Sequence, residues 1–452
     1  MGMRREHWLW IVGIALAGLV LRCFAARGGL WLDEAWSAVF AQEVATPAGV
    51  LFQINHDNNH HLNTLWLQLV GPAAPPILQR ALSIVSSSAT IVVAAAIAAR
   101  RGPAPAICAA VAFAVAPFLL TYGAEARGYA PMLLACVSAI AIIDGWLADP
   151  TRPKPSSALT IAALLGCLAQ ATMMFALVIL TLWVTVERCR NAGWRKGLPD
   201  TIALFAPAAA VAVLLVAGAW AAAAGGGGFH IGNREPHDWL KWSDAMRQLL
   251  AGMFGATILA VPLLYLARGT SDRLATLALI ACALPLAVAL LALPNSGAAR
   301  YYAVVVPPLL LLTVIILPMA WNHPVKRWIA AAISLTFLLT AAVADRAIIR
   351  NLRGDPGRAV ATLARVAPGG AIVSVDYSRS SAILIAAARS QRYSLTVAET
   401  ACPPARFHLV ERDGDTRFPD RPFWCGRTYR EIARGDPAGL SGTHWRLYGA
   451  MR

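Results

Sequence analysis

The stretch Gly29-Leu-Trp-Leu-Asp-Glu-Ala-Trp-Ser37 follows the first long apolar run of the chain and carries two adjacent carboxylates, Asp33 and Glu34. A carboxylate at a membrane surface must be solvated, paired with a cation or part of a functional site. The flanking tryptophans are typical of the membrane interface. The stretch therefore predicts the end of a first transmembrane helix and indicates a functional pocket at its mouth.

The composition of the chain indicates its class. Of the 452 residues, 58% are hydrophobic and 14% are charged, and the mean hydropathy is +0.57. These values exclude an ordinary soluble domain and indicate a multi-spanning membrane protein in a lipid bilayer. The formal charge of +15 comes from short basic clusters between apolar runs. This pattern is typical of membrane proteins, in which basic residues concentrate in the cytoplasmic loops. No nucleic-acid partner is expected.

Apolar runs long enough to cross about 30 Å of hydrocarbon predict the transmembrane helices. The run 158–186 precedes a basic cluster and is interpreted as two short helices that meet near Gln170–Thr172. The sequence thus predicts an α-helical polytopic membrane protein with about eleven spans. The other runs are 8–26, 76–99, 103–121, 130–148, 200–224, 248–267, 274–294, 301–320 and 328–345.

The short basic loops predict the orientation. Clusters such as Arg100/Arg101 fall on one side of the membrane, which the positive-inside bias assigns to the cytoplasm. The first long loop, 27–75, and the segment after residue 345 then face the periplasm. The segment Met1–Arg27 is interpreted as a retained span, because its apolar run is long and lacks a small-residue cleavage site. We expect a multi-pass protein of the bacterial inner membrane.

The chain divides into two predicted domains. Residues 1–345 form the transmembrane domain, and their first loop, 27–75, is longer than a simple crossing requires. Helical spacing predicts interfacial helices over Ala35–Phe52 and Leu62–Val70 in this loop. The apolar face of the first helix comprises Trp36, Val39, Phe40, Val44 and Leu51.

Residues 346–452 contain no run able to span a membrane and predict a small periplasmic α/β domain. Cys402 and Cys425 are the cysteine pair of this segment, and in an oxidising compartment we expect them to form a disulfide. The predicted elements are strands over Ala371–Val375, Tyr393–Val397, Phe407–Val410 and His444–Tyr448 and a helix over Ser380–Arg389.

Two interpretations of the acidic pair stay open. Asp33 and Glu34 can start the interfacial helix, because acidic side chains favour the first turn of a helix. Alternatively, Asp33 is a general base that accepts a proton from a substrate. Both interpretations can hold, one for each residue.

The polar segment His56-Asp-Asn-Asn-His-His-Leu-Asn-Thr64 also admits several roles. Hydrogen bonding to sugar hydroxyls or a phosphate is favoured, and a cap for the second interfacial helix, by Asn59 or Asn63, is the structural alternative. His60 and His61 could ligate a divalent metal, but consecutive histidines point different ways, so no cofactor is firmly predicted. The candidate substrate-binding residues are Asp57, Asn59, His60 and His61.

Two further loops on the predicted outer side each supply an arginine and tyrosines. The first, Thr121–Tyr129, contains Arg127, which can meet a phosphate oxygen through its planar fork or form a local ion pair with Glu125. The second, Pro294–Tyr302, adds Arg300 at the mouth of a late span.

A longer loop, Gly225–Arg247, begins with four consecutive glycines and contains Arg234. Glycine-rich backbone favours mobility, so this loop is a candidate lid over a bound substrate. A featureless linker is the alternative interpretation. Arg234 is therefore a candidate substrate contact.

Together these motifs resemble the C-type glycosyltransferase (GT-C) superfamily, in the branch of protein O-mannosyltransferases and bacterial aminoarabinose-type transferases. The motifs that carry the resemblance are Leu30-Trp-Leu-Asp-Glu-Ala-Trp36, Tyr122-Gly-Ala-Glu-Ala-Arg-Gly-Tyr129 and Arg300-Tyr301. The resemblance implies an inverting enzyme that moves a hexosyl or pentosyl group from a polyprenyl-phosphate donor. The implied acceptor is a hydroxyl of an envelope glycan, lipid or protein on the periplasmic side.

The resemblance also implies residue roles. Asp33 would deprotonate the acceptor, and Glu34 would support its geometry. The sequence departs from the family in two places: His60-His-Leu-Asn63 replaces a common His-Pro-Pro-Leu, and Thr172-Met-Met-Phe175 replaces a common His-Tyr pair. The other implied contacts are Arg127, Arg300 and Tyr301 for the donor phosphate and Tyr122 and Glu125 for substrate.

Two functions of other classes remain open at this point. A flippase or transporter of a lipid-linked glycan is the first, although transporters often carry charges at mid-membrane, whereas here the charges gather at the ends of spans. A non-catalytic subunit of envelope assembly is the second, and in that case Asp33 would be dispensable.

Overall fold

The structure, a computed structural model, describes residues 2–54, 60–225, 235–398, 405–412 and 417–451. Its first part is a bundle of helices with a helical first loop. Four helices follow the first span: α1 (Arg5–Ala25) leads to α2 (Leu32–Glu43), α3 (Pro47–Phe52), α4 (His61–Val70) and α5 (Pro76–Gln79). The bundle continues with α6 (Ala81–Ala99), α7 (Pro103–Val115), α8 (Pro117–Gly123), α9 (Tyr129–Ala148), α10 (Ser156–Ala169), α11 (Met173–Ala192), α12 (Trp194–Gly225), α13 (Trp239–Phe254), α14 (Ala260–Ala267), α15 (Arg273–Leu290), α16 (Val306–Trp321) and α17 (Lys326–Asn351).

The prediction of a polytopic helical membrane protein is confirmed. Within the described ranges, seven helices are long and apolar enough to cross a membrane, or nine if two bent pairs each count as one span. The bent pairs are α7 with α8, at 56°, and α13 with α14, at 79°. The predicted break at Gln170–Thr172 is present between α10 and α11. Fewer helices than the eleven predicted spans meet this criterion of length and composition, because α10 has only 14 residues and α11 ends in charged residues.

The bend between α7 and α8 has a local chemical cause. Pro117 has no amide hydrogen and cannot continue the α7 hydrogen-bond ladder, so the carbonyls of the preceding turn lose their helical partners. The buried Arg22 of α1 donates to two of these carbonyls, Phe113 at 3.0 Å and Ala114 at 3.1 Å. The guanidinium thus stabilises a broken span inside the bundle.

The first loop is helical, but its first helix is divided where one helix was predicted. Pro47 occupies the first turn of α3, and the Thr46 side chain accepts a hydrogen bond from Gly49 N at 3.1 Å. Proline at this position and a threonine cap are strong signals for a new helix start. The predicted helix 35–52 therefore becomes α2 and α3.

The C-terminal part contains two helices, α18 (Gly357–Val366) and α19 (Ser381–Gln391), and six strands. The strands are β1 (Ala371–Val375), β2 (Leu395–Ala398), β3 (Phe407–Arg412), β4 (Phe423–Trp424), β5 (Arg427–Gly435) and β6 (His444–Ala450). They form one sheet of order β2-β1-β3-β6-β5-β4, in which β1 pairs in parallel with β2 and β3 and the remaining pairs are antiparallel. The predicted strands and helix are present, whereas β4, β5 and α18 were not predicted.

The first loop and the C-terminal part share one hydrophobic core. Leu30, Trp31, Leu32 and Leu67 from the loop are buried together with Leu363 and other residues of the C-terminal part. Burial of this apolar surface favours docking of the two segments. Helix α17 runs to Asn351, beyond the predicted domain boundary at 345.

This shared core corrects one sequence-based interpretation. Trp36 and Val39, which were predicted to lie flat in the membrane interface, pack against the shared core instead. The apolar face of α2 therefore binds the C-terminal part of the same chain.

Candidate functional site

The start of α2 positions the acidic pair. The Trp31 amide donates to Glu34 Oε2 at 3.1 Å, which satisfies one of the free donors at the start of the helix. Asp33 lies in the same turn, with 26% of its side chain exposed. The two neighbours therefore differ: Glu34 closes the helix start, and Asp33 is left accessible.

The structure brings Asp33 together with both predicted arginines. Asp33 Oδ2 lies 2.8 Å from Arg127 Nη1 and 3.5 Å from Arg300 Nη1. Neither atom of the shorter contact makes an aligned hydrogen bond with any of the described residues, so the two charges meet without the best geometry. The alternative local ion pair between Arg127 and Glu125 is wrong, because the carboxylate against Arg127 is that of Asp33.

His60 and two aromatic rings orient Arg127. Arg127 Nε and Nη2 both donate to His60 Nε2, at 3.2 and 3.0 Å. The guanidinium also lies over the rings of Trp31, at 5.8 Å, and Tyr129, at 5.1 Å. Burial, followed by the charge of Arg127, holds the pKa of His60 well below its usual value. His60 is thus neutral and positions Arg127, where the sequence predicted a substrate contact.

The tautomer of His60 follows from its contacts. Since Nε2 accepts from Arg127, Nδ1 must carry the single proton of the neutral ring. The carbonyl of Ala169, at the end of α10, interacts favourably with the same imidazole ring. Gly128 N also lies 3.3 Å from Nδ1, but a protonated nitrogen cannot accept a hydrogen bond from it. The break between α10 and α11 therefore borders the site.

Glu34 is held by a second arginine that the sequence analysis did not single out. Arg80 contacts both Glu34 oxygens, at 2.7 and 2.5 Å, and donates to the carbonyls of Ala26, Gly28 and Gly29. Burial raises the pKa of Glu34, but the charge and hydrogen bonds of Arg80 outweigh this, and the pKa is lowered. Glu34 is therefore a buried anion that anchors the loop after α1.

Glu125 is also buried and pairs with the C-terminal part. Arg353 Nε lies 3.3 Å from Glu125 Oε1, and the Ser441 hydroxyl donates to the same oxygen. Burial raises the pKa of Glu125; Arg353 opposes this shift and Glu34 adds to it. Because Glu125 is closed off from solvent, it does not offer the direct substrate contact that the sequence predicted.

The remaining predicted residues have different surroundings. Tyr122 is buried against Tyr129, with ring centroids 5.0 Å apart, and Tyr301 lies under Arg300 at 5.5 Å. His61 starts α4, and burial lowers its pKa. Asn63 donates to Ala126 O at 2.5 Å and does not cap α4. Asp57, Asn59 and Arg234 lie outside the described residues.

The predicted metal ligands, His60 and His61, lie within the described residues, whereas only one cysteine of the predicted disulfide does. Among the described residues, no group of three or more His, Cys, Asp or Glu side chains could hold a metal ion. His60 Nε2 is already an acceptor for Arg127. Cys425 is disulfide-bonded, and Cys402, its predicted partner, lies outside the described residues.

The opposite end of the bundle carries a separate charged cluster. A cavity of about 630 Å³ there is lined by Arg100, Arg101, Asp272 and Arg273, among others. The arginines pair with Asp144 and Asp272 at 2.5–2.9 Å. Paired charges of this kind stabilise helix ends, and they are distant in sequence and in the fold from Asp33.

The helix bundle, the helical first loop and the docked C-terminal sheet together form a fold that is similar to the GT-C fold of several solved membrane transferases. ArnT from Cupriavidus metallidurans bound to undecaprenyl phosphate superimposes with a TM-score of 0.58 at 14% identity, over 97% of this chain and 98% of ArnT. The oligosaccharyltransferase of Archaeoglobus fulgidus, in complex with zinc and sulfate, gives 0.51 at 12% identity, over 85% and 62%.

A third similar structure is the arabinofuranosyltransferase AftD from Mycobacteria, with a TM-score of 0.51 at 17% identity, over 99% of this chain and 42% of AftD. No protein-family model and no curated protein matches the sequence. At these identities the likenesses establish the fold. The resemblance to the GT-C superfamily is thus confirmed at the level of fold.

Proposed function

We propose that this chain is an inverting glycosyltransferase that moves a hexosyl or pentosyl group from a polyprenyl-phosphate donor to a hydroxyl of an envelope glycan, lipid or protein. The observation that carries the proposal is the partly exposed Asp33 carboxylate between two guanidiniums, 2.8 Å from Arg127 and 3.5 Å from Arg300. The GT-C fold supports it, as does the undecaprenyl phosphate bound to ArnT.

The two arginines are suited to a phosphate. Arg127 Nη1 and Arg300 Nε are buried and make no hydrogen bond within the described chain. A phosphate presents several acceptor oxygens to such planar donors and can satisfy both. A donor phosphate would therefore replace Asp33 against the guanidiniums and release the carboxylate for proton transfer.

The proposed reaction is a single displacement. The acceptor oxygen attacks the anomeric carbon, the bond from that carbon to the phosphate oxygen breaks, and the acceptor proton passes to Asp33. The leaving polyprenyl phosphate gains one negative charge, which Arg127 and Arg300 neutralise. A general base at this position contributes about 10²–10⁴-fold to the rate.

The proposed location is the periplasmic side of a bacterial inner membrane. The balance of basic loops favours it, because Arg100, Arg101 and Arg273 cluster at the end of the bundle opposite Asp33. Tyr301 would line the donor site, with Tyr122, Arg234, Asp57 and Asn59 as further candidate substrate contacts.

The deciding experiment compares the full-length protein with its Asp33→Asn variant. Both are purified and supplied with a polyprenyl-phosphate sugar and candidate acceptors, and mass spectrometry detects the new glycosidic bond. We expect transfer by the wild type and a loss of about 10²-fold or more in the variant. Equal transfer by the two proteins would refute the role of Asp33.

A second assay separates enzyme from transporter. Reconstituted vesicles with a labelled lipid-linked glycan report movement between leaflets. Movement without a new glycosidic bond would identify a flippase. Neither transfer nor movement, together with unchanged envelope assembly in an Asp33→Asn strain, would identify a non-catalytic subunit.

A further inference from the structure

We infer that the C-terminal domain completes the active site, with Arg353 and Ser441 acting through Glu125 as positioning residues for Arg127. The inference rests on the proposed function and deepens it, because it explains how the phosphate-binding arginine stays available. Arg353 and Ser441 both contact Glu125 Oε1. Glu125 stands two residues before Arg127, so these contacts hold the loop that carries the arginine.

The same domain also holds the segment that carries Asp33. Asp355 Oδ1 accepts a hydrogen bond from the Gly29 amide at 2.8 Å, and Thr443 Oγ1 accepts one from the Leu32 amide at 3.4 Å. Leu32 is the residue directly before Asp33. One domain therefore fixes both segments whose side chains meet at the proposed phosphate site.

The joint between α17 and the C-terminal domain has an unusual backbone. Residues 352–355 have φ angles of 47°, 58°, 85° and 41°, and three of the four carry a Cβ, for which this region is costly. The buried Arg353 side chain anchors the joint by donating to the carbonyls of Ala25, at 2.9 Å, and Thr121, at 3.0 Å. Such backbone persists only where surrounding contacts hold it, and here those contacts lead to the site.

The charges beneath the site explain why Arg353 matters. Glu34 and Glu125 are buried carboxylates, and Arg80 and Arg353 balance them. If Arg353 is removed, the buried Glu125 carboxyl loses its cation, and it must then take up a proton or find another cation. Arg127 is the next cation along the loop and already interacts electrostatically with Glu125. We expect it to turn toward Glu125 and away from Asp33 and the phosphate.

The experiment uses the full-length protein in lipid nanodiscs and four variants. Arg353→Gln removes the cation, and Glu125→Gln/Arg353→Gln removes both charges. Ser441→Ala removes one hydrogen bond. Arg350→Gln changes an exposed arginine in the last turn of α17 and is the matched control. The measurements are kcat and KM for transfer, binding of sugar-free undecaprenyl phosphate by native mass spectrometry, and thermal unfolding.

We expect Arg353→Gln to lower kcat/KM and undecaprenyl phosphate binding by about 10²-fold, the size of effect that a displaced catalytic group produces. The double variant should recover most of both losses, since its Glu125 no longer attracts Arg127. A merely structural role predicts that binding and kcat/KM only follow the thermal stability of each variant, because neutralising both members of a buried ion pair also restores stability. The positioning role predicts a loss of binding in Arg353→Gln protein that is still folded at the assay temperature. Ser441→Ala should lower binding about 10-fold while it remains folded, since one hydrogen bond to a charged group is worth that much.

Two results would overturn the inference. One is wild-type binding in folded Arg353→Gln and Ser441→Ala proteins, and the other is a double variant no better than Arg353→Gln. If Arg353→Gln does not fold, Ser441→Ala alone decides. A wild-type protein that binds undecaprenyl phosphate but transfers no sugar refutes the proposed function only, because the binding measurements still test the positioning of Arg127.

Discussion

Arg80 holds both oxygens of Glu34, with Nε 2.7 Å from Oε1 and Nη2 2.5 Å from Oε2, and neither side chain reaches solvent. The pair ties the start of α6 to the start of α2. Glu34 follows Asp33 in the first turn of α2. The accessible carboxylate of Asp33 is therefore next to a buried ion pair whose charges balance.

Breaking this pair on one side should be costly. Glu34→Leu leaves Arg80 as an unpaired buried cation, and we expect a loss of about 3–5 kcal/mol in the free energy of unfolding. Glu34→Leu/Arg80→Leu should recover part of this loss, but not all, because Arg80 also donates to backbone carbonyls. Thermal and denaturant unfolding in detergent measure both.

The control for this prediction is an exposed ion pair. Arg152, with 73% of its side chain exposed, pairs with Asp149, and Arg152→Gln should change stability by less than about 1 kcal/mol. A Glu34→Leu protein as stable as the Arg152→Gln protein would contradict the account of the buried pair.

The planar fork of Arg127 should matter as well as its charge. Arg127→Lys keeps the charge but cannot donate twice to His60 and also meet a phosphate. We expect kcat to fall by about 10²–10³-fold, in the range found when one donor to a developing charge is lost. Steady-state transfer kinetics provide the measurement. Retention of near-wild-type kcat by the lysine variant would show that charge alone suffices.

His60 should make stability depend on pH. Its pKa in the folded protein lies well below the value near 6.5 of an unfolded histidine, so the unfolded chain binds more protons between these two values. The stability that neutral His60 supplies is therefore present above about pH 6.5 and is lost as the pH falls toward the folded pKa. The melting temperature of the wild type should drop more between pH 7.5 and 5.5 than that of His60→Gln.

His61 and the other titrating groups are present in both proteins of this comparison, so the difference between their two plots of melting temperature against pH isolates His60. The wild-type plot is expected to be the steeper one. Parallel plots would mean that neutral His60 does not stabilise the protein.

Gly128 should tolerate no side chain. A Cβ there would lie 1.6 Å from the Ala169 carbonyl oxygen and 2.9 Å from His60 Nδ1. Gly128→Ala must therefore push the end of α10 away from His60, and we expect destabilisation of several kcal/mol and loss of transfer activity. Gly13 of α1 has open space around it, and Gly13→Ala should be neutral or slightly stabilising. Unfolding and transfer assays on both variants test the contrast.

Much of the fold could be predicted from local pattern. The apolar runs gave the positions of the helices, the basic cluster after Val186 exposed the break between α10 and α11, and β1 spans the predicted residues Ala371–Val375. The one helix predicted over 35–52 was divided at Pro47, a signal that was present in the sequence. Helix α18 and strand β5 were not predicted, because charged residues interrupt the periodic spacing of their apolar residues.

The sequence predicted several residues of the candidate site, but not which of them form ion pairs with each other. Asp33, Arg127 and Arg300 were singled out because charges at the mouths of spans are costly and therefore informative. Arg80 and Arg353 were missed, although Arg80 is a charge near the start of the predicted run 76–99. The sequence does not distinguish Arg353 from its neighbours, because it is one of many arginines in the C-terminal segment.

The sequence alone determined that this chain is a polytopic membrane protein with carboxylates and arginines at one end of its spans. That follows from hydropathy and charge, which act residue by residue. Only the tertiary structure decided that Glu125 pairs with Arg353 and not with Arg127, and that the apolar face of α2 binds the C-terminal domain. Those outcomes depend on which buried charges and apolar faces meet across more than two hundred residues of chain, as between Glu125 and Arg353 at a separation of 228. Short-range pattern carries no information at that distance.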